Sequence, residues 1–266
     1  MRQYELLGNT LELSESLSLD ESWNLFLSDR KESKTNPIRV LDLPFAPAIH
    51  QAWHYRTSFP GTQIIRIGDC IVLADENWRQ CQVIQIGHHR HLQEALLHIL
   101  YSHVVKAWFV QIHSSLISYR KNGIMFLGPS GIGKTTQAEL WNKYMGAQII
   151  NGDLVFVQQT KQEFLGWGSP WHGSSPYCEN ANVPLKAMVV LKQSKENALR
   201  RITGFEMVSE VAKSIFYPMW LENGTELCLE TLNALLGQIP VYELSCRPDE
   251  DSVRLLYNEL VKSKLL

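Results

Sequence analysis

The stretch that decides the fold reads Gly123-Ile-Met-Phe-Leu-Gly-Pro-Ser-Gly-Ile-Gly-Lys-Thr-Thr136. From residue 128 it fits the pattern G-x-x-x-x-G-K-[ST], in which the backbone N–H groups of a glycine-rich loop surround phosphate oxygens. The apolar residues 124–127 predict a buried strand before the loop, and residues 137–145 predict a helix after it. Because a helix N-terminus adds partial positive charge, this strand–loop–helix unit predicts a nucleoside triphosphate site. The alternative is a tight turn with a structural role only.

Nine consecutive residues of this loop are candidates for nucleotide contacts. They are Gly128, Pro129, Ser130, Gly131, Ile132, Gly133, Lys134, Thr135 and Thr136. Lys134 is expected to reach the β- and γ-phosphates, and the Thr135 hydroxyl is expected to bind Mg²⁺. The expected cofactors are therefore ATP and Mg²⁺, although the pattern leaves other triphosphates open.

A second stretch, Ile149-Ile-Asn-Gly-Asp153, supplies a candidate for the remaining chemistry. It reads as an apolar strand that follows the loop's helix and ends in an aspartate. A carboxylate there can hold Mg²⁺ or accept the proton of an acceptor hydroxyl. Asp153 is thus the catalytic and metal-binding candidate, the alternative being a turn aspartate. His113 lies on a predicted strand that Asn122-Gly123 would connect to the strand before the loop. It is either a second catalytic group or a structural hydrogen-bonding residue.

Three short stretches resemble the catalytic half of the HPr kinase/phosphorylase family, which shares its core with phosphoenolpyruvate carboxykinases. They are His113-Ser-Ser, Gly128-Pro-Ser-Gly-Ile-Gly-Lys-Thr and Ile150-Asn-Gly-Asp153. The resemblance covers residues 111–157 closely and the rest in outline. It implies an α/β fold with a P-loop core of the HPr kinase/carboxykinase type and a small N-terminal β unit.

The resemblance also implies roles for individual residues. Lys134 and Thr135 would hold nucleotide and Mg²⁺, Asp153 would be the catalytic or metal aspartate, and His113 its catalytic neighbour. The family's aspartate pair reads Gly152-Asp153 here, so both carboxylate roles fall on Asp153 or another residue supplies one. The family's N-terminal domain and its glutamate-containing motif associated with phosphorolysis have no match. The outline is closer to stand-alone HPr-kinase-like proteins, some of which phosphorylate a serine of a ribosomally made precursor peptide.

The glycine- and tryptophan-rich segment 166–175 is the next candidate, since glycines permit movement and aromatic rings offer apolar surface. It either closes over the acceptor or the base, or it forms a well-packed structural loop. The basic pair at 200–201 either neutralises phosphate charge or is solvated. The substrate-loop candidates are Trp167, Ser169, Trp171, His172, Arg200 and Arg201. The histidine-rich residues 87–91 lack an accompanying carboxylate or cysteine and predict no specific metal site.

Composition restricts the classes of protein to which the chain can belong. The 266 residues carry a formal net charge of −2, which argues against nucleic-acid binding. Five cysteines without a C-x-x-C pair favour a reducing compartment. No apolar run approaches the length of a membrane span, and the first residues lack the apolar core of a signal peptide. We therefore expect a cytoplasmic protein without membrane contact, and a homo-oligomer is compatible with the sequence.

Secondary-structure patterns divide the chain into a β-rich N-terminal unit, 1–90, and a P-loop kinase domain, 91–266. The first unit is expected to be antiparallel, with a hairpin at Gly68-Asp69. The predicted strands cover residues 38–41, 63–67, 70–74, 82–86, 107–113, 115–119, 124–127, 149–151, 154–157, 185–191 and 241–244. The predicted helices cover residues 20–26, 91–103, 137–145, 205–216, 226–235 and 249–262.

The expected activity is ATP- and Mg²⁺-dependent phosphorylation of a serine or threonine hydroxyl on a peptide or small protein. Two alternatives stay open. One is a kinase of a small hydroxylated metabolite, which a deep closed pocket beside the loop would favour, whereas an open groove would favour a peptide. The other is a nucleotide-binding regulatory module without transfer activity, which the missing second aspartate keeps open.

Overall fold

The computed structural model describes residues 1–28, 36–43, 59, 62–86 and 90–266. Its helices and strands form a mixed α/β fold. Contacts divide the chain into two compact units, one of residues 1–106 with 218–224 and one of residues 107–217 with 225–266. This division lies at residue 106 rather than at the expected residue 90, because the helix at Leu92–Val104 packs against strands of the first unit.

The first unit is built on a six-stranded sheet in the order β1-β2-β3-β6-β5-β4. Its elements are β1 (Arg2–Leu6), β2 (Asn9–Leu13), β3 (Ile38–Leu43), β4 (Gln63–Ile67), β5 (Cys70–Ala74), β6 (Gln80–Gln85) and helix α1 (Leu92–Val104). The expectation of an antiparallel unit is wrong, because β3 pairs in parallel with both β2 and β6. The hairpin at Gly68-Asp69 is confirmed, since Ile67 pairs with Cys70 around it.

The second unit is built on a nine-stranded sheet. The strands are β7 (Phe109–Tyr119), β8 (Asn122–Leu127), β9 (Gln148–Asn151), β10 (Leu154–Gln159), β11 (Phe164–Trp167), β12 (Asn182–Gln193), β13 (Ala198–Ile202), β14 (Ile215–Phe216) and β15 (Val241–Cys246). The helices of this part of the chain are α2 (Lys134–Met145), α3 (Gly204–Ala212), α4 (Gly224–Gln238) and α5 (Glu250–Lys262). Seven strands follow the order β11-β10-β7-β8-β12-β15-β13, and both β9 and β14 pair with β7.

Strand β7 organises the sheet because it pairs with four other strands. Its first half pairs with β10 and β14, and its second half pairs with β8 and β9. The sequence predicted two strands here, whereas β7 is continuous through His113 and Ser114. The break falls instead between two strands that pair with β7, since Gly152 and Asp153 separate β9 from β10. His113 and Asp153 therefore lie where the pairing of β7 changes.

Two local predictions in this unit are wrong. The two-residue loop between β7 and β8 is Arg120-Lys121 and not Asn122-Gly123, since Tyr119 pairs with Asn122. Both loop residues have positive φ angles, 49° and 66°, as a tight hairpin turn with the favoured twist requires. The helix predicted for residues 205–216 ends at Ala212, and the chain continues into β14 on the edge of β7.

The parallel strands β8, β12 and β15 end on the same side of the sheet. Helices α2 and α5 cover one face of these strands, where Trp141 and Leu256 pack with Val189 and Leu244 in a buried cluster. The loops that follow the three strands are therefore brought together, which is where ligands bind in α/β sheets. Among the described residues, no helix combines the length and the apolar character needed to cross a bilayer.

Candidate active site

The glycine-rich loop joins the end of β8 to the start of α2. Three of its glycines, Gly128, Gly131 and Gly133, have positive φ angles of 138°, 77° and 111°, a region that other residues rarely adopt. A Cβ atom built on Gly131 or Gly133 would meet no atom within 4 Å. The path of the loop thus requires glycine, and the space in front of these two glycines is open.

Lys134 is the first residue of α2 and closes this loop. It is 7% exposed, and its Nζ donates hydrogen bonds to the carbonyl oxygens of Gly128 at 3.1 Å and Pro129 at 3.3 Å. Burial lowers the pKa of Lys134, and the charge of the nearby Asp153 carboxylate opposes that shift. The ammonium group is therefore held inside the loop by carbonyls, next to the open space.

The first turn of α2 is tied to the sheet on two sides. The buried Ser115 hydroxyl of β7 donates to the Lys134 carbonyl at 3.0 Å. The Thr135 hydroxyl donates to the Gly152 carbonyl at 3.3 Å. These contacts bring the Thr135 hydroxyl, predicted to bind Mg²⁺, next to the segment that carries Asp153.

His113 and Asp153, which are 40 positions apart in the chain, are in direct contact. His113 Nε2 lies 3.1 Å from Asp153 Oδ1. The register of the sheet causes this contact, because Leu154 lies opposite His113 and the Ser114 N–H donates to the Asp153 carbonyl at 2.8 Å. The hydrogen bond from His113 lowers the pKa of Asp153, although partial burial acts against it. The carboxylate is thus oriented and kept ionised.

Asn151 holds the backbone of this segment in place. It is fully buried, and its Oδ1 accepts hydrogen bonds from the N–H groups of Asp153 and Leu154, both at 2.8 Å. Its Nδ2 donates to the carbonyls of Ser169 at 2.9 Å and Trp171 at 3.3 Å. One side chain therefore connects the aspartate to the glycine- and tryptophan-rich segment.

A serine occupies the space that a side chain on residue 152 would need. A Cβ atom built on Gly152 would lie 1.8 Å from Ser175 Oγ and 2.4 Å from Ser175 Cβ. Ser175 is itself 7% exposed and accepts a hydrogen bond from the Tyr177 N–H at 3.3 Å. The second aspartate of the HPr kinase pattern therefore has no room here, because Ser175 fills its place.

A cavity of about 250 Å³, which we call the phosphate cavity, brings the site together. It is lined by His113, Ser130, Gly131, Gly133, Lys134, Thr135, Thr136, Gly152, Asp153 and Ser174. The predicted catalytic pair and six of the nine residues predicted for nucleotide contacts thus face one space, whereas Gly128, Pro129 and Ile132 do not line it. Ser174 was not singled out in the sequence, where it is one of several polar residues in segment 166–175.

A second cavity of about 380 Å³, which we call the strand-end cavity, also borders the glycine-rich loop. Its lining is Gly131, Ile132, Gly133, Thr136, Gln137, Leu191, Lys192, Gln193, Ser194, Cys246, Arg247 and Pro248. It shares Gly131, Gly133 and Thr136 with the phosphate cavity. Residues 191–194 and 246–248 comprise the last residues of the parallel strands β12 and β15 and the residues directly after them. The ends of these strands were the sequence signal that could have indicated this lining.

The substrate-loop candidates are placed differently from one another. Ser169 is fully buried and its hydroxyl donates to the Leu154 carbonyl at 2.8 Å, whereas the Trp167 indole donates to Gln158 Oε1 at 3.2 Å. Both have roles in packing the segment. Trp171 and His172 are half-buried, and the charge of His172 contributes to lowering the pKa of Asp153. A contact with substrate stays a prediction for all four residues.

The basic pair at 200–201 lies on β13 and lines neither cavity. Arg200 forms ion pairs with Glu206 and with Glu243, the latter at 2.9 Å, and Arg201 is exposed. Their proposed contact with phosphate stays a prediction. Within the histidine-rich segment, residues 87–89 lie outside the described residues, and His91 Nδ1 contacts Asp69 Oδ1 at 2.9 Å.

Comparison with known proteins gives a similarity in structure but not in sequence. No protein-family profile matches this chain, and no curated protein matches it at a significant level. The solved structures similar to it include the Hpr(Ser) kinase/phosphatase from Coxiella burnetii. That similarity covers 58% of this chain and 89% of the other, at 12% sequence identity and a TM-score of 0.35.

Proposed function

We propose that this protein is a phosphotransferase with a P-loop core, which transfers the γ-phosphate of ATP to a serine or threonine hydroxyl of a peptide or small protein. The observation that carries the proposal is the phosphate cavity, around which Lys134, Thr135, His113 and Asp153 meet. Phosphoryl transfer requires positioning and charge neutralisation more than covalent chemistry. Cationic, hydroxyl and carboxylate groups around one cavity are the parts that such a reaction needs.

The residues present fit a nucleotide on one side of the site. The open space before Gly131 and Gly133 accommodates phosphate oxygens, and the Lys134 ammonium lies beside it. Anionic phosphates would replace the two carbonyl contacts of Lys134 with charge-assisted hydrogen bonds, which are stronger. The strand-end cavity, which continues from the same loop, has the size and position for the nucleoside part of the donor.

The residues present also fit a divalent cation. Mg²⁺ prefers oxygen ligands and is bound in such sites by one or two protein groups together with phosphate oxygens. The Thr135 hydroxyl and the Asp153 carboxylate are two such oxygens on the same cavity. Bound Mg²⁺ would neutralise charge on the phosphates, and the two residues would hold it.

Asp153 is assigned a second role at the acceptor. The His113 hydrogen bond keeps the carboxylate ionised and oriented, so it can accept a hydrogen bond from the acceptor hydroxyl and take its proton. The hydroxyl oxygen then forms the new bond to the γ-phosphorus, and the bond between the γ-phosphorus and the bridging oxygen breaks as the diphosphate leaves. His113 acts through Asp153 and is a positioning residue.

The exposure of this pair supports a peptide acceptor over a small metabolite. The side chains of His113 and Asp153 are 27% and 36% exposed, so the acceptor hydroxyl can reach them from the surface. Phe216 is also exposed, and its ring centre lies 6.4 Å from that of His113. An apolar surface next to the reacting groups suits the side chains that flank a serine in a peptide.

The proposal is tested by incubating the protein with Mg²⁺ and γ-labelled ATP, a panel of serine- and threonine-containing peptides, and common hydroxylated metabolites. Label on a peptide is expected, and Lys134→Ala should abolish it. Asp153→Asn should reduce transfer by about 10²–10⁴-fold, as loss of a general base does, while nucleotide binding measured by calorimetry persists.

Other outcomes separate the alternatives. Lys134-dependent label on a metabolite would replace the peptide by a small acceptor. Tight ATP binding with no labelled acceptor would favour the regulatory module. Equal loss of binding and transfer in Asp153→Asn would show that Asp153 has no separate role in the chemical step.

A further inference from the structure

We infer that Ser174 is itself a phosphorylation site of this protein, modified by the nucleoside triphosphate bound in its own phosphate cavity. The inference rests on the proposed function, since it needs a bound donor, and it adds an intramolecular acceptor to it. The observation behind it is the presence of an exposed serine among the residues that line the cavity.

Ser174 differs from the other serines of its segment. Ser169 and Ser175 are buried. The Ser169 hydroxyl donates to the Leu154 carbonyl in β10, and Ser175 Oγ accepts a hydrogen bond from the Tyr177 N–H. Ser174 is exposed and lines the phosphate cavity with Lys134 and Asp153. Its hydroxyl is therefore accessible from the space that the transferred phosphate would occupy.

The turn that carries Ser174 lies directly against the proposed base. The Ser175 N–H donates to the His172 carbonyl at 3.0 Å, which closes a four-residue turn with Gly173 and Ser174 at its centre. Gly173 has a φ of 58°, and a Cβ atom built on it would lie 2.5 Å from Asp153 Oδ2. The missing side chain of Gly173 thus lets the backbone approach the carboxylate, with the Ser174 hydroxyl one residue away.

The other hydroxyl groups on the cavity belong to the donor side. Ser130, Thr135 and Thr136 lie in or directly after the glycine-rich loop that would surround the phosphates. A hydroxyl of the loop approaches the phosphate from the side of the leaving diphosphate, whereas transfer proceeds in line from the opposite side. Ser174 belongs to a different segment and lies on the Asp153 side, where an acceptor has to be.

The reaction balances with groups already assigned. The Ser174 oxygen forms a bond to the γ-phosphorus, the bond to the bridging oxygen breaks, and the nucleoside diphosphate leaves with the electron pair. The hydroxyl proton passes to the Asp153 carboxylate and from there to solvent. A phosphoserine would then carry about −1.5 to −2 charges beside Asp153 at neutral pH, so the modified protein should bind a second triphosphate more weakly.

The test uses the purified 266-residue chain with Mg²⁺-ATP and no other acceptor. Mass spectrometry should show the gain of one phosphate, located by peptide mapping on Ser174, at a rate constant that does not change with protein concentration. Ser174→Ala should remove the modification, and Ser263→Ala, which alters an exposed serine that does not line the phosphate cavity, should leave it unchanged. Lys134→Ala should also abolish it, which excludes a contaminating kinase.

The inference and the proposed function fail in different ways. Nucleotide binding by calorimetry without phosphate on Ser174, or with equal phosphate on Ser174→Ala, would overturn the inference and leave the proposed function in place. A rate constant that rises with protein concentration would overturn the intramolecular step. Absence of nucleotide binding would overturn both.

Discussion

At the residue scale, the contact between His113 and Asp153 is the feature on which the proposed chemistry depends. A carboxylate that is only partly exposed tends to have a raised pKa, because burial disfavours its charge. Here the hydrogen bond from His113 outweighs burial and lowers the pKa of Asp153. The pair therefore contributes to stability as well as to the orientation of the carboxylate.

This pair should make stability depend on acid pH in a specific direction. A carboxyl group whose pKa is lowered on folding stabilises the protein above its unfolded-state value, and that contribution is lost as pH falls through the folded-state value. Wild type should exceed Asp153→Asn in free energy of unfolding at about pH 6, and the difference should shrink as pH falls below about 4. Urea unfolding across this range measures it.

The background variant His113→Asn checks the cause of this pH dependence. This variant removes the imidazole that lowers the pKa of Asp153. In its background, the pH-dependent change in free energy of unfolding caused by Asp153→Asn should therefore become smaller. If the difference in free energy of unfolding between wild type and Asp153→Asn does not vary with pH, the pair does not lower the pKa of Asp153 as inferred.

The steric relation between Gly152 and Ser175 gives a second prediction. Gly152→Asp should destabilise the protein by about 1–3 kcal/mol or more, because it overpacks a filled site. Adding Ser175→Gly should recover part of this loss by removing the atoms in conflict. A double-mutant cycle of unfolding free energies measures the coupling between positions 152 and 175. Purely additive effects would show that the two side chains do not compete for the same space.

At the element scale, the segment between β11 and β12 forms one wall of the site. Asn151 ties its backbone to the aspartate, and the turn at Gly173 lies against the Asp153 carboxylate. The segment thus lies directly against the proposed base. Its conformation should affect transfer more strongly than it affects nucleotide binding.

Gly173→Ala tests this role of the segment. It adds backbone strain at a φ of 58° together with a Cβ atom 2.5 Å from Asp153 Oδ2. Gly204→Ala is the matched control, since its φ is 60° and a Cβ there meets no atom within 4 Å. Both should lose about 1–2 kcal/mol of stability from strain, but only Gly173→Ala should lose transfer activity. Equal activity of the two variants would show that residue 173 does not position Asp153.

At the scale of the whole molecule, the two cavities lie along the side of the sheet where β8, β12 and β15 end. Parallel strands place their following loops at a common edge, and the glycine-rich loop lines both cavities. A nucleotide that fills both would bind residues from three distant parts of the chain. Its binding should therefore stabilise all three parts of the second unit together.

Hydrogen–deuterium exchange checks this expectation. Mg²⁺-ATP should protect the amides of residues 128–136, 152–153, 191–194 and 246–248 from exchange. At a concentration of about 100 times its Kd, it should raise the free energy of unfolding by about 2.7 kcal/mol. Lys134→Ala should remove this protection. Protection of the glycine-rich loop without residues 191–194 and 246–248 would place the nucleoside outside the strand-end cavity.

The sequence by itself determined the local parts of the site. The glycines and Lys134 form a pattern whose spacing has a direct physical meaning, and the apolar runs at 124–127 and 149–151 predicted the strands that flank it. Asp153 was found because it follows such a strand. These features depend on residues close together in the chain, so local periodicity and turn chemistry were sufficient to find them. Strands β1, β2 and β13 were missed, because their residues read as polar or basic in sequence. Strand β11 was missed because its last residues belong to the glycine- and tryptophan-rich segment, which reads as a loop.

Only the tertiary structure decided which distant residues meet. The 3.1 Å contact between His113 and Asp153, the place of Ser175 in the space of a side chain at 152, and the exposure of Ser174 in the phosphate cavity all depend on how strands pair and in which register. The parallel pairing in the first unit belongs to the same category. The reason is physical: hydrophobic periodicity and turn geometry fix register within a strand or a hairpin. Which strands from distant parts of the chain pair with each other depends on packing and hydrogen bonding over the whole sheet.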